Sequence, residues 1–133
     1  HCSGHVYVGD SVSSISRAIQ QSRVLLENGM SMCIFPEGTR THTGEMGEFK
    51  RGAFMLASQL ERPIVPITIN GSYDVFNRED TMVNRHSLEL IIHKPIPCES
   101  FKGKNTKVLM KEVFDIIHDD LKLSPRNTLE KEG

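Results

Sequence analysis

Long apolar runs are missing from this 133-residue sequence, and none approaches the ~18 consecutive apolar residues that a membrane-crossing helix requires. An excess of charge of one sign is missing as well. Lys and Arg total 16 against 17 Asp and Glu, a net charge of −1. Such a balance leaves no electrostatic footprint for nucleic acid, which takes a strongly basic face, and no polybasic membrane anchor. Paired cysteines are also lacking. Cys2, Cys33 and Cys98 are odd in number and irregularly spaced, so they make no disulfide framework. A reducing, cytosolic environment is therefore the expectation. The sequence contains no secretory signal peptide, internal repeat, low-complexity tract or linker long enough to divide it. It opens on His1 rather than Met, and the natural polypeptide is expected to begin further upstream.

What is present is ordinary for a soluble globular protein: 38% hydrophobic and 25% charged residues. One domain over 1–133 is expected, burying roughly two-thirds of its unfolded surface, with a frayed polar tail over 124–133. The stretch around which the rest is organised is Ser31-Met32-Cys33-Ile34-Phe35-Pro36-Glu37-Gly38-Thr39-Arg40. Met32 to Phe35 is a short apolar run that predicts a buried strand. Pro36 cannot donate to a ladder and should end it. Glu37-Gly38-Thr39-Arg40 then falls at the strand's carboxyl end, where open α/β sheets place their ligands. Glycine permits close backbone approach, and the arginine fork fits paired phosphate or carboxylate oxygens. Two readings of the spacing stand open: an anion-binding loop, or a surface turn with a solvated arginine.

Along the chain, Val6-Tyr7-Val8 reads as a strand. A helix follows over roughly 14–28, with Ile15, Ala18, Ile19, Ser22, Leu25 and Leu26 on one face and Gly29 at its C-cap. Residues 41–49 read as a flexible loop. A second helix is expected over about 50–60, with Ala53, Phe54, Ala57 and Leu60 on one face. The run 64–69 reads as a strand in which Pro66 marks an edge or a bulge. Asn70-Gly71 is a turn, and a mixed loop leads to a strand over 88–92. Pro95 and Pro97 enforce an extended exit. Asn105 or Thr106 caps a last helix to about 123, with Met110, Val113, Phe114, Ile117 and Leu121 inward. The order β-α-β-α-β-β-α predicts an α/β fold with a mostly parallel or mixed central sheet flanked by helices.

Phe35-Pro36-Glu37-Gly38-Thr39-Arg40 resembles the third sequence block of the glycerolipid acyltransferases, the 1-acylglycerol-3-phosphate (lysophosphatidate) acyltransferase family. Phe49-Lys50-Arg51-Gly52-Ala53 resembles the basic segment that follows that block, and Ile64-Val65-Pro66-Ile67 resembles the fourth block. Gly4 to Asp10 falls where the second block would be. The resemblance covers roughly 4–97. It implies a glycerol-3-phosphate acyltransferase-like fold that is incomplete at its N-terminus. It also implies transfer of an acyl group from coenzyme A or acyl carrier protein to a glycerol hydroxyl, with no cofactor beyond that co-substrate. In such chemistry a histidine in a His-x-x-x-x-Asp block is the base and the aspartate orients it. Glu37, Gly38, Thr39 and Arg40 would build the acceptor site, Arg40 contacting the phosphate. Lys50 would add a second charge at a helix N-terminus. The implied partners are a lysophospholipid acceptor, the acyl carrier and a membrane surface met peripherally on its cytoplasmic side.

This sequence departs from the family pattern at two places. The second block ends in Asp10 where the family carries a phosphate-contacting arginine, and Arg17 is the nearest replacement. His5 and Asp10 have the catalytic spacing but occupy the second block's position, so the general base is expected upstream of His1. Acceptor identity therefore stays open. So does a non-catalytic module that binds phosphate or phospholipid.

The remaining candidates are weaker. His1, Cys2 and His5 are metal-ligand types, but a zinc site takes about four ligands and no second cluster supplies the rest. His42 lies two residues past Arg40, within reach of a bound ligand or simply solvated. His86, His93 and His118 read as structural or surface residues. Tyr73, Val75, Phe76, Met82 and Val83 put apolar side chains in a loop, either to dip into a membrane interface or to pack on their own domain.

Overall fold

The structure, a computed structural model, describes residues 12–76 and 81–124. The expected strand at 6–8, the His1/Cys2/His5 cluster and the His5/Asp10 pair lie outside the described residues. Helix α1 spans Val12–Glu27 and ends in a Schellman turn. Gly29 takes φ 79°, its N–H donating to the Leu26 carbonyl and that of Met30 to the Leu25 carbonyl, both at 3.1 Å. Arg17 is exposed on this helix.

Helix α2, Arg51–Leu60, ends the same way, but with Glu61 in the left-handed conformation (φ 51°). The helix packs against α1 as well as against two later helices; Phe54 belongs to the main core, and Leu56 is buried outside that cluster. A helix packed on both sides needs more than the single apolar stripe its periodicity suggests, which is why Leu56 was not among the expected core positions.

Strand β1, Ile67–Asn70, runs into the four-residue helix α3, Ser72–Val75, and strand β2, Glu89–Ile92, returns beside it. The pairing is antiparallel, Ile67 opposite Ile92 and Asn70 opposite Glu89. Of the expected mostly parallel or mixed sheet, the described residues contain a two-stranded antiparallel part and no parallel pair. Ile64 and Ile96 form a separate bridge three residues before Ile67 but four after Ile92, so the ladder bulges by one residue around Pro66. The Pro66 carbonyl still accepts from the His93 N–H (3.0 Å).

The run Met32–Phe35 is a second correction. It makes no strand, and Cys33, Ile34 and Phe35 are exposed. An extended segment becomes a strand only when a neighbour completes its hydrogen bonds, and none of the described residues lies paired beside it.

Helices α4, Cys98–Phe101, and α5, Thr106–Asp119, complete the chain. Asn105 caps α5 by accepting from the Lys107 N–H at 2.9 Å. Phe54, Ile96, Phe101, Leu109 and Val113 form the core between α2, α4 and α5. Phe49 enters it from the preceding loop, stacked on Phe54 and edge-on to Phe114 with centroids 5.9 and 5.2 Å apart.

The sheet meets α5 through polar side chains. The buried Thr68 hydroxyl donates to the Ile117 carbonyl (3.0 Å), so at the 2.8 Å contact His93 Nε2 is the donor to Thr68. Asn70 binds the Asp120 carbonyl and the Lys122 N–H. The Ser124 hydroxyl, itself buried, donates to the buried carboxylate of Asp74. Residues 125–133 lie outside the described residues. The opposite face of the sheet shows Ile67, Leu90 and Ile92 to solvent.

Ser22 is fully buried on α1, and its hydroxyl has no hydrogen-bond partner among the described residues. Replacing it by Ala removes an unsatisfied polar group and improves helix propensity, so Ser22→Ala is expected to stabilise the fold by about 0.5–2 kcal/mol. Urea unfolding measures this directly, and a loss of stability would mean that the hydroxyl has a partner after all.

Candidate functional site

The loop 36–50 is ordered from its ends inward. The Lys50 N–H donates to the Pro36 carbonyl at 2.8 Å, which brings the start of α2 back onto the Pro36–Arg40 turn. The Gly38 N–H closes a tight turn onto the Phe35 carbonyl at 3.1 Å, and Gly38 takes φ 70°, where a side chain is strained. A Cβ at Gly38 would lie 3.1–3.2 Å from Cδ, Cε and Nζ of Lys50. The lysine stem therefore lies across the bare glycine and carries its ammonium to the turn. The sequence reading had Gly38 admit a ligand close to the backbone; in the structure the group that lies against it is Lys50 of this chain.

Glu37 is turned into the loop, where its carboxylate accepts the Gly47 N–H at 2.7 Å. Hydroxyl-based turns order the tip: Thr41 Oγ1 accepts from the Thr43 N–H (3.1 Å) and Thr43 Oγ1 from the Glu45 N–H (3.3 Å). The stretch expected to be a flexible loop is thus internally hydrogen-bonded. Thr39 is exposed, its hydroxyl making a long 3.5 Å contact with the Arg40 carbonyl.

Arg40 points onto an aromatic ring. Its guanidinium carbon lies 5.1 Å from the Phe76 centroid, within cation–π range. Among the described residues no carboxylate pairs with Arg40 or with Lys50. The N-terminus of α2 has no side-chain cap, so its first N–H groups stay available beside Lys50. Of the five residues singled out in the sequence, Gly38 and Lys50 are in contact and Glu37 braces their loop. Thr39 and Arg40 follow on its exposed side.

Two contributors escaped the sequence reading. Tyr73 donates its hydroxyl proton to the His42 carbonyl at 2.8 Å, and Phe76 supplies the ring under Arg40. Both belong to the loop whose apolar side chains were read as packing on their own domain or dipping into a membrane. For Tyr73 and Phe76 the first reading holds, whereas Met82 and Val83 are 76% and 72% exposed. The signal was the pair of aromatics three residues apart in Ser-Tyr-Asp-Val-Phe, but no local rule says what such a pair will touch. No described helix is long and apolar enough to cross a membrane. The described residues contain no group of three or more His, Cys, Asp or Glu able to hold a metal.

Residues 3–70 match the family Acyltransferase, and the chain belongs to it. Within that family the chain is similar to 1-acyl-sn-glycerol-3-phosphate acyltransferases. It is 35% identical over 105 residues to the alpha enzyme of Ovis aries, covering 79% of this chain and 36% of that one. It is 41% identical over 100 residues to the chloroplastic enzyme BAT2 of Brassica napus, covering 74% and 28%. The crystal structure of the 1-acyl-sn-glycerophosphate (LPA) acyltransferase PlsC from Thermotoga maritima superposes with a TM-score of 0.70 at 28% identity, over 77% of this chain and 42% of that one. The chain thus spans about a third of the length of the curated relatives it matches.

Proposed function

We propose that this chain carries the acceptor-binding part of an acyltransferase acting in phospholipid synthesis. The enzyme moves a fatty acyl group from acyl-coenzyme A or acyl carrier protein to the hydroxyl of a lysophosphatidate-like glycerol phosphate. The observation that carries the reading is the Pro36–Lys50 closure. It sets a lysine and an arginine that have no carboxylate partner among the described residues, and a helix N-terminus without a side-chain cap, around one exposed turn. Phosphate oxygens match that set of donors in charge and geometry. The relatives' names support the same acceptor class, and the likeness to PlsC supports a glycerol-3-phosphate acyltransferase-like fold.

In this reading Glu37 is a brace, Gly38 lets Lys50 lie close, and Arg40 and Lys50 receive the phosphate, with Thr39 at the rim. The general base comes from a His-x-x-x-x-Asp block upstream of His1. The reaction uses the acyl carrier as co-substrate and no resident cofactor. It takes place peripherally at the cytoplasmic face of a membrane.

Thiol release from acyl-coenzyme A with lysophosphatidate as acceptor tests the reading, run on this chain and on the polypeptide extended to its native start codon. Release only by the longer form is expected. Arg40→Ala is expected to weaken acceptor binding by roughly 1.5–3 kcal/mol, the worth of a hydrogen bond to a charged group. An unchanged affinity for the phosphorylated acceptor would remove Arg40 from the site.

A further inference from the structure

We propose that Phe76 and Tyr73 are positioning residues of the anion site, holding Arg40 and its loop in the geometry that receives a phosphate. The inference rests on the acceptor-site reading above and deepens it. Tyr73 lies within the short helix α3 and Phe76 is the extended residue that caps its C-terminus, three positions on. Each reaches a different point of the 36–50 loop, more than 30 residues earlier in the chain. Tyr73 fixes the backbone at the His42 carbonyl, and Phe76 lies under the Arg40 guanidinium two residues before it. The short helix and its cap therefore meet the loop at both its main chain and its functional side chain.

The chemistry of the Phe76 contact suits this task. An exposed arginine side chain carries about 2 kcal/mol of rotamer entropy, much of which a binding event has to remove. A carboxylate partner would orient the guanidinium too, but would occupy its N–H donors and cancel its charge. An aromatic ring does neither: it offers no carboxylate oxygens to take up the N–H donors, and it leaves the cation unneutralised. Phe76 is itself 39% exposed, so its ring is not consumed by core packing.

The turn that presents both residues is held from below. Gly71 starts α3 with φ 86°, the Val75 N–H donates to the Gly71 carbonyl (3.1 Å), and Asp74 is bound by Ser124. Beyond the turn, the Val75 carbonyl accepts from the Asn84 N–H at 2.7 Å.

The test compares variants of the full-length polypeptide containing this chain. Binding is measured to phosphatidylcholine vesicles with and without lysophosphatidate, alongside melting temperature. Phe76→Leu keeps apolar bulk and removes the π face, and is expected to weaken lysophosphatidate-dependent binding about 2- to 5-fold with the melting temperature unchanged. Phe76→Tyr retains a ring and is expected to retain binding. Tyr73→Phe is expected to lose a similar factor by freeing the His42 carbonyl. If Arg40→Ala weakens binding and Phe76→Leu does not, the positioning role is overturned while the acceptor site stands. Equal losses in Phe76→Leu and Phe76→Tyr would also overturn it, because the ring would not be what matters. If Arg40→Ala has no effect, or lysophosphatidate adds nothing to wild-type binding, the acceptor reading fails and this inference with it.

Discussion

Gly71→Ala is expected to be the most damaging single-methyl change in the chain. Gly71 ends β1 and opens α3 at φ 86°, a conformation that costs an L-residue roughly 1–2 kcal/mol. An added Cβ would also stand 2.2 Å from the Ser87 carbonyl oxygen and 3.3 Å from its carbon. That neighbour is main chain two residues before β2, so relief requires the approach of β2 to shift, at the roughly 1–3 kcal/mol typical of overpacking. The sum is a loss of about 2–5 kcal/mol, readable as a lower midpoint in chemical unfolding. A loss below about 1 kcal/mol would mean that the turn reaches another conformation without strain. Because α3 carries Tyr73 and Phe76, the same substitution should loosen the Arg40 loop at denaturant concentrations where the core is still folded.

The second large effect is expected at Asn70. This side chain is 5% exposed and ties three segments together. Its carbonyl oxygen accepts from the Lys122 N–H at 2.8 Å, and its amide donates to the Asp120 carbonyl at 3.1 Å and to Glu89 Oε2 at 3.0 Å. Asn70→Leu has the right bulk but leaves the two main-chain groups beyond α5 without partners, and unmet groups of this kind cost ~1–3 kcal/mol each. We expect a loss of about 2–6 kcal/mol at neutral pH. Urea unfolding of Asn70→Leu checks the figure, and near-wild-type stability would show that water replaces all three bonds.

The effect should also depend on pH. The Lys122 ammonium first, and the Asn70 amide second, hold the Glu89 carboxyl below its usual range. A depressed carboxyl stabilises the fold above its unfolded pKa and loses that contribution as pH falls through the folded value. The gap between wild type and Asn70→Leu should therefore narrow on acidification. A gap that widens in acid would contradict this sign.

The helices were the legible part of the fold. The apolar spacing from Ile15 to Leu26, the Asn105 cap and Gly29 at a helix end all act within a turn or two of chain, and the structure bears out these features. Helices α3 and α4 were not legible. Each is four residues long, too short for a period to show, and each depends on what surrounds it: Gly71 and Asn70 for α3, the core position of Phe101 for α4. The proline in the 64–69 run was correctly a sign of irregular pairing, since the ladder bulges there.

Sequence by itself singled out the residues of the proposed acceptor loop, because Phe35-Pro36-Glu37-Gly38-Thr39-Arg40 and Lys50 are read from residue type and spacing alone. It also determined the three long helices, whose hydrogen bonds are local and whose buried stripe repeats along the chain. The tertiary structure alone decided strand direction, and whether Met32–Phe35 would pair, because a ladder needs a partner that lies far away in sequence. It likewise decided that Lys50 folds back over Gly38 and that Phe76 lies beneath Arg40. Those contacts join residues 12 and 36 positions apart. Such distances are closed by the packing of the whole chain, and no local preference along it encodes them.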